Sequence, residues 1–265
     1  MIDEVISPDS VVSQKLTDAR GRNIANRTWD DQQQKWIISY QIYNDLNLLR
    51  FMIPPKAAQV VDLENNQAAI DGLCFEYRYD ERKRKIWSKM PGAAPVVSVY
   101  DQWDRLVASQ DANQKINNNW TYFKYDNFNR VIISGVESYN ISHANLQAEV
   151  MAETNRYETA DNSAIGYTTN QTWPTTPDNI YTVNYYGNYS FLDNTGWTAG
   201  AYDFSANALV GTSDLDTAVL GLSTGSRVKN FEDDSWLNTV IYYDDEYEML
   251  QTISENHIGG KDILS

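Results

Sequence analysis

The chain has 265 residues, with 21 Lys+Arg against 36 Asp+Glu for a formal net charge of −15, and it carries 8 Trp, 18 Tyr and 7 Phe. That charge excludes a nucleic-acid binder, which needs a basic surface to displace phosphate counterions. An apolar content of 42% argues against disorder, and one Cys with two His cannot build a Cys/His zinc site or a disulfide framework. No stretch approaches the roughly 20 apolar residues of a membrane helix, and Met1 to Ser10 lack the basic start and apolar run of a signal peptide.

Runs rich in Tyr, Trp, Thr and Val, punctuated by Asn and Asp, predict short strands and hairpins and a mainly β fold. In chain order the first turn is Thr17-Asp18-Ala19-Arg20-Gly21-Arg22, followed by Tyr43-Asn44-Asp45-Leu46-Asn47-Leu48. Three closer copies come next. Tyr79-Asp80 leads to Arg84, Tyr100-Asp101 to Arg105, and Tyr125-Asp126 to Arg130, at intervals of 21 and 25 residues. A last copy, Tyr243-Asp244, has Glu248 in the Arg position. The Tyr is expected to end an incoming strand and bury its ring. The Asp or Asn accepts backbone N–H groups of the turn. Three residues on stands a residue suited to positive φ, such as Gly21, Asn47, Asp104 or Asn129. An apolar outgoing strand follows each Arg, so each unit reads as a hairpin. Lys83 and Tyr247 sit where Gly or Asn is expected.

Between the third close copy and the last, the phrase lapses. Ser142 to Glu153 predicts one short helix, N-capped by Ser142 with Leu146 and Val150 on one face. Thr168 to Asn179 reads as loop, with Pro174 and Pro177 in it. Gly196 to Thr224 reads as a long connection containing one short strand, Thr217 to Leu222. Three segments result: a β segment at 1–135, an insertion at 136–180, and a second β segment at 181–265.

The phrase resembles the YD-repeat, or Rhs-repeat, family. Gly72 to Asp80 followed by Met90 to Val107 is similar to the Rhs-type proteins of Bacteroidetes, as are Arg50 to Pro55, Ser254 to Gly260, and Tyr185 to Leu192 with Gly187 where an Asp is usual. The resemblance implies an antiparallel β-hairpin ribbon that spirals into a hollow shell, often around a C-terminal toxin or effector. It implies a structural role, without catalysis or cofactor, for a piece of a longer chain that is secreted or on the cell surface. Its partners are then neighbouring repeats, an encapsulated domain, or a protein or glycan at the outer surface. The residues expected to carry that role are Tyr79, Asp80, Tyr100, Asp101, Arg105, Tyr125, Asp126, Arg130, Tyr243 and Asp244.

Other patterns invite chemical readings. Gly221-Leu222-Ser223-Thr224-Gly225 matches a nucleophile elbow, with Asp244 and His257 following in the order of α/β-hydrolases. That elbow needs a strand before Ser223 and a helix after it, and Ser226 to Phe231 has no amphipathic period. The acidic runs Glu232-Asp233-Asp234 and Asp244-Asp245-Glu246 lack the spacing of a calcium loop, and read as solvated surface. Arg82-Lys83-Arg84-Lys85 falls on a turn. His143 precedes the expected helix, and no metal site is expected. Trp29, Trp103, Trp120, Trp173 and Trp197 at loop positions suggest a sugar-stacking platform as the alternative function, a carbohydrate-binding surface module.

Overall fold

The computed structural model describes residues 1–7, 11–205 and 215–265. Among them are sixteen strands. The first eight are β1 (Ile2–Ile6), β2 (Val12–Thr17), β3 (Asn23–Asp30), β4 (Lys35–Tyr43), β5 (Leu49–Ile53), β6 (Phe75–Tyr79), β7 (Lys85–Lys89) and β8 (Val96–Tyr100). The rest are β9 (Leu106–Gln110), β10 (Asn119–Tyr125), β11 (Val131–Ser138), β12 (Asn179–Tyr186), β13 (Ser223–Lys229), β14 (Trp236–Tyr243), β15 (Met249–Glu255) and β16 (Lys261–Leu264). Strands are hydrogen-bonded in chain order and pair antiparallel, so the fold is mainly β, a ribbon of successive hairpins. Two compact units divide the chain: residues 1–98 with 110–113, and residues 99–109 with 114–265.

Helices are more numerous than the sequence suggests. The expected one is present as His143–Met151, with the Ser142 hydroxyl accepting from the Asn145 amide at 3.2 Å and Leu146 and Val150 buried. Three more were missed: α1 (Pro55–Ala58), α2 (Gln67–Leu73) and α3 (Ala112–Ile116), which makes the first named α4. They are short, so helical periodicity had little length in which to show. For α2 a cap was legible, since the Asn66 side chain accepts from the Ala69 amide at 3.0 Å. The strand expected at Thr217 to Leu222 is also corrected. Gly221 takes φ +87°, the Leu222 amide donates back to the Val219 carbonyl, and the strand begins only at Ser223, just past the expected one.

In the first unit the sheet has little cover among the described residues beyond α1, which packs on β4 and buries Ala57. Cross-strand register puts Trp29 opposite Trp36, Ile38 opposite Arg27, Tyr40 opposite Ile53, and Ile42 opposite Phe51, all on one face. That face continues through Glu76 to Arg78 and Trp87. Its rings are partly covered by arginines: the Arg27 guanidinium lies 4.4 Å from the Trp36 ring and Arg78 lies 4.3 Å from Trp87. Only Ala25, Ala57, Cys74 and Glu76 are buried among the described residues up to Ser98. The face is therefore apolar yet still half open.

The second unit solves the same problem differently. Along β10 burial alternates strictly, with Trp120, Tyr122 and Lys124 inside. Register carries that face through Ile133, Val183, Arg227, Asn238, Val240 and Ile253. It is covered by α4, by the loop from 153 to 178, and by a connection in which Phe191, Trp197 and Tyr202 are buried. Irregular backbone buried on a sheet must find hydrogen-bond partners, and polar residues of the sheet face provide them. Lys124 Nζ donates to the Thr172 carbonyl at 2.7 Å and the Tyr185 hydroxyl to the Ile165 carbonyl at 2.6 Å. Arg227 donates to the Ala164 carbonyl at 2.7 Å and the Tyr242 hydroxyl to Tyr202 at 2.6 Å.

The cover fits closely. A Cβ on Gly225 would meet the Phe191 ring at 2.6 Å and the Thr239 carbonyl oxygen at 3.1 Å. Gly225→Ala is expected to lower stability by about 1–3 kcal/mol, the usual penalty of overpacking. Gly21→Ala has no atom within 4 Å and meets only its φ of +78°, at about 1–2 kcal/mol. Urea melts that rank Gly21→Ala as the more damaging of the two would contradict this packing.

Candidate functional site

The residues singled out by the repeat gather at one end of each hairpin. At Tyr100 to Arg105 the chain makes a turn closed by the Asp101 amide donating to the Arg105 carbonyl at 3.0 Å. Asp104 takes φ +67°, giving a type I turn followed by a left-handed residue. One Asp101 carboxylate oxygen accepts the Trp103 and Arg105 amides, each at 2.9 Å, and the other accepts Arg105 Nε at 2.7 Å. The same set recurs in Asp18 with Arg22, Asp80 with Arg84, and Asp126 with Arg130. Bonding to Arg22, led by its backbone amide, holds the Asp18 carboxyl below the usual range against the opposing effect of desolvation.

Where the motif departs from its pattern, the backbone keeps the shape. Lys83 and Tyr247 adopt φ +67° and +65° without being Gly or Asn. Asp244 still accepts the Glu246 and Glu248 amides at 3.0 and 2.7 Å, but Glu248 supplies no guanidinium. Asn44 likewise accepts from Leu46 and Leu48.

The tyrosines join one hairpin to the one before it. The Tyr43 hydroxyl donates to the Asn23 carbonyl at 3.0 Å, Tyr79 to Leu49 at 3.0 Å, Tyr125 to Leu106 at 2.7 Å, and Tyr243 to Ser223 at 2.8 Å. Each acceptor directly follows the Arg position of the preceding turn. Arginines point the same way: Arg22 lies 5.0 Å from the Tyr43 ring, Arg105 4.5 Å from Tyr125, and Arg130 4.2 Å from Tyr186. The left-handed Asn also takes part. Asn47 Oδ1 accepts Arg22 at 2.9 Å and Asn129 Oδ1 accepts Arg105 at 3.2 Å. Burial pushes the Tyr125 hydroxyl up to about 12, with Arg105 pulling the other way, so it stays a donor at any physiological pH.

One rung was legible only as a fragment. Tyr186 stacks under Arg130, and its hydroxyl approaches the Val131 carbonyl at 3.4 Å. The Gly187 amide donates to the Leu222 carbonyl at 3.0 Å, and Tyr186 pairs with Ser223. Gly187 and Leu222 thus occupy the Asp and Arg positions of a hairpin whose tip is replaced by residues 188–221. The pair Tyr186-Gly187 was the sequence signal; the distance to Leu222 hid its partner.

Other candidates separate in space or role. Ser223 opens β13 and is followed by strand rather than helix, so the nucleophile-elbow geometry is absent there. Asp244 is engaged with its own turn amides. Trp120, Trp173 and Trp197 are 0%, 8% and 6% exposed and cannot offer a surface platform. Trp29 packs edge-on against Trp36 at 5.4 Å, and Trp103 sits at a hairpin tip near Arg105. Asp233 accepts the Ser235 amide and hydroxyl, while Asp234 pairs with Lys229 at 2.9 Å. Among the described residues no cluster of His, Cys, Asp and Glu has the makings of a metal site.

A buried ionic cluster was not legible in the sequence. Lys124 and Glu158 are both fully buried and 2.8 Å apart. Glu158 also accepts the Thr168 and Thr172 hydroxyls and the Gln171 and Thr172 amides. Burial would raise this carboxyl, but Lys124 and the hydrogen bonds hold it below its usual value. With every lone pair taken, the cluster anchors a loop and has no free oxygen for proton transfer. Nearby, burial pushes Glu153 up to about 7, although the Trp173 amide at 2.5 Å and the charge of Lys124 draw it down.

No family model matches the chain, and no curated protein does. Among solved structures, a Photorhabdus luminescens Tc holotoxin pore with a mutated TccC3 aligns at 13% identity over 98% of this chain, with a TM-score of 0.40. A TcdB2–TccC3 crystal structure aligns at 12% identity over 96%, and the same pair without its hypervariable C-terminal region at 13% over 97%, each with a TM-score of 0.40. In all three the chain spans 12% of the matched chain. The fold described above rests on this chain's own strand pairing.

Two outcomes follow from the site geometry. Asp101→Ala leaves two turn amides and Arg105 Nε without their acceptor and removes the counter-ion of a guanidinium that is 9% exposed, and is expected to cost about 2–3 kcal/mol, whereas Asp244→Ala costs about 1; equal losses in denaturant melts would refute the role given to the arginine. For Glu153, the folded pKa near 7 exceeds the ordinary 4.5. The folded state therefore holds this proton more tightly, and stability falls as pH rises from 4.5 to about 7, then levels. Glu153→Gln is expected to flatten the melting temperature across that window; an unchanged slope would rule the assignment out.

Proposed function

We propose that this chain is a non-catalytic structural segment of a large Rhs/YD-repeat protein of the Bacteroidetes type, secreted or displayed at the cell surface. It forms part of a β-shell wall that encases a C-terminal domain or presents a binding surface. The observation that carries this reading is the tip ladder, in which the Tyr43, Tyr79, Tyr125 and Tyr243 hydroxyls are each spent on the backbone of the preceding hairpin. Such a device couples neighbouring repeats along a ribbon and leaves the motif's polar groups committed to structure.

Two further features support it. The aromatic face of the first unit is half open, as a wall's inner face is before its contents cover it. The sheet's outermost strands also expose apolar side chains beside the charged Asp3, Glu4, Lys261 and Asp262, with Ile2, Val5 and Ile6 of β1 at 56%, 66% and 63% exposure and Ile263 and Leu264 of β16 at 54% and 70%.

Electron microscopy of the intact native polypeptide tests the reading. The expected image is a hollow β shell with this segment in its wall; a solid globular particle would overturn it. A fluorophosphonate probe is expected to leave Ser223 unlabelled, and stoichiometric labelling would restore the hydrolase alternative.

A further inference from the structure

Beside the Tyr125 to Arg130 tip lies a groove of about 790 Å³, within the range of small-molecule sites. Its floor is aromatic: the Tyr185 ring stacks on Phe191 at 4.2 Å and on Tyr167 at 5.6 Å. Phe128 and Tyr157 stand on the rim, 69% and 39% exposed. Asn127, Thr159 and Asn162 line it with them, and these three side chains and the Tyr157 hydroxyl make no hydrogen bond among the described residues.

The geometry points to this groove as a binding site for a neutral oligosaccharide. Sugars offer apolar C–H faces that pack on aromatic rings, and hydroxyls that donate and accept at once. Asn127 and Asn162 carboxamides and the Tyr157 and Thr159 hydroxyls match that dual character. Charge argues against an anionic ligand. Asp126 and Arg130 neutralise each other at 2.6 Å, Glu158 is taken by Lys124, and Asp161 remains as a carboxylate on the lining. An extended peptide is disfavoured too, because β11 and β12 behind the groove are paired on both sides and leave no strand edge. This site uses none of the tryptophans suggested by the sequence and does not depend on the wall role.

The test is an array of neutral glucan, xylan, mannan and chitin oligosaccharides beside sialylated and sulfated glycans, followed by calorimetric titration of the strongest ligand. Saturable binding of a neutral glycan is expected. Phe128→Ala and Tyr157→Ala should each weaken it about tenfold, the loss of one stacked ring, at an unchanged melting temperature. Asn162→Ala, a smaller change at an exposed position, should also weaken it. The proposal is overturned if no neutral glycan binds, if binding is confined to the anionic glycans, or if the Phe128→Ala/Tyr157→Ala double variant binds as tightly as the parent.

Discussion

At each full hairpin tip one carboxylate does two jobs, and the ribbon depends on both. Its first oxygen gathers two turn amides, which forces the tight turn; its second fixes an arginine side chain. A guanidinium held in this way is planar and already oriented. It can then lie on the tyrosine of the next hairpin and reach that hairpin's left-handed Asn. Local turn chemistry thereby becomes coupling between neighbours. The tyrosine completes the rung by donating to backbone just beyond the previous turn. Tips with Leu48 or Glu248 keep the turn but lose the arginine, so the two functions are separable.

A ribbon of this kind has one apolar face and must cover it. The second unit does so with its own inserted segments, which run as irregular chain across the sheet. Buried irregular backbone carries carbonyls that water cannot reach. The sheet answers with Lys124, Tyr185, Arg227 and Tyr242, each donating to a main-chain oxygen above it. Those polar residues at core positions are the counterpart of the loops they hold. The first unit has less cover among its described residues, chiefly α1 on β4, and the face that holds Trp36 and Trp87 keeps its tryptophans and arginines half open.

Legibility followed the range of the interactions. Turns with Asp and Arg four residues apart could be read, because all their partners lie within one tip. The helix after Ser142 could be read from its cap and its apolar spacing. The short helices α1 to α3 could not, and the strand assigned to Thr217 to Leu222 was misplaced because Gly221 breaks it. Trp120, Trp173 and Trp197 looked like loop residues available to ligand, yet they are packed beneath chain from distant segments.

The amino-acid sequence by itself determined the hairpins: which residues turn, which take positive φ, and where strands end. These are outcomes of backbone sterics and of bonds spanning four residues. Only the tertiary structure decided that Gly187 meets Leu222, that Lys124 meets Glu158, and which face of the sheet is covered. Those outcomes depend on closing long loops, and the free energy that closes them comes from packing and burial spread over many residues rather than from any local pattern.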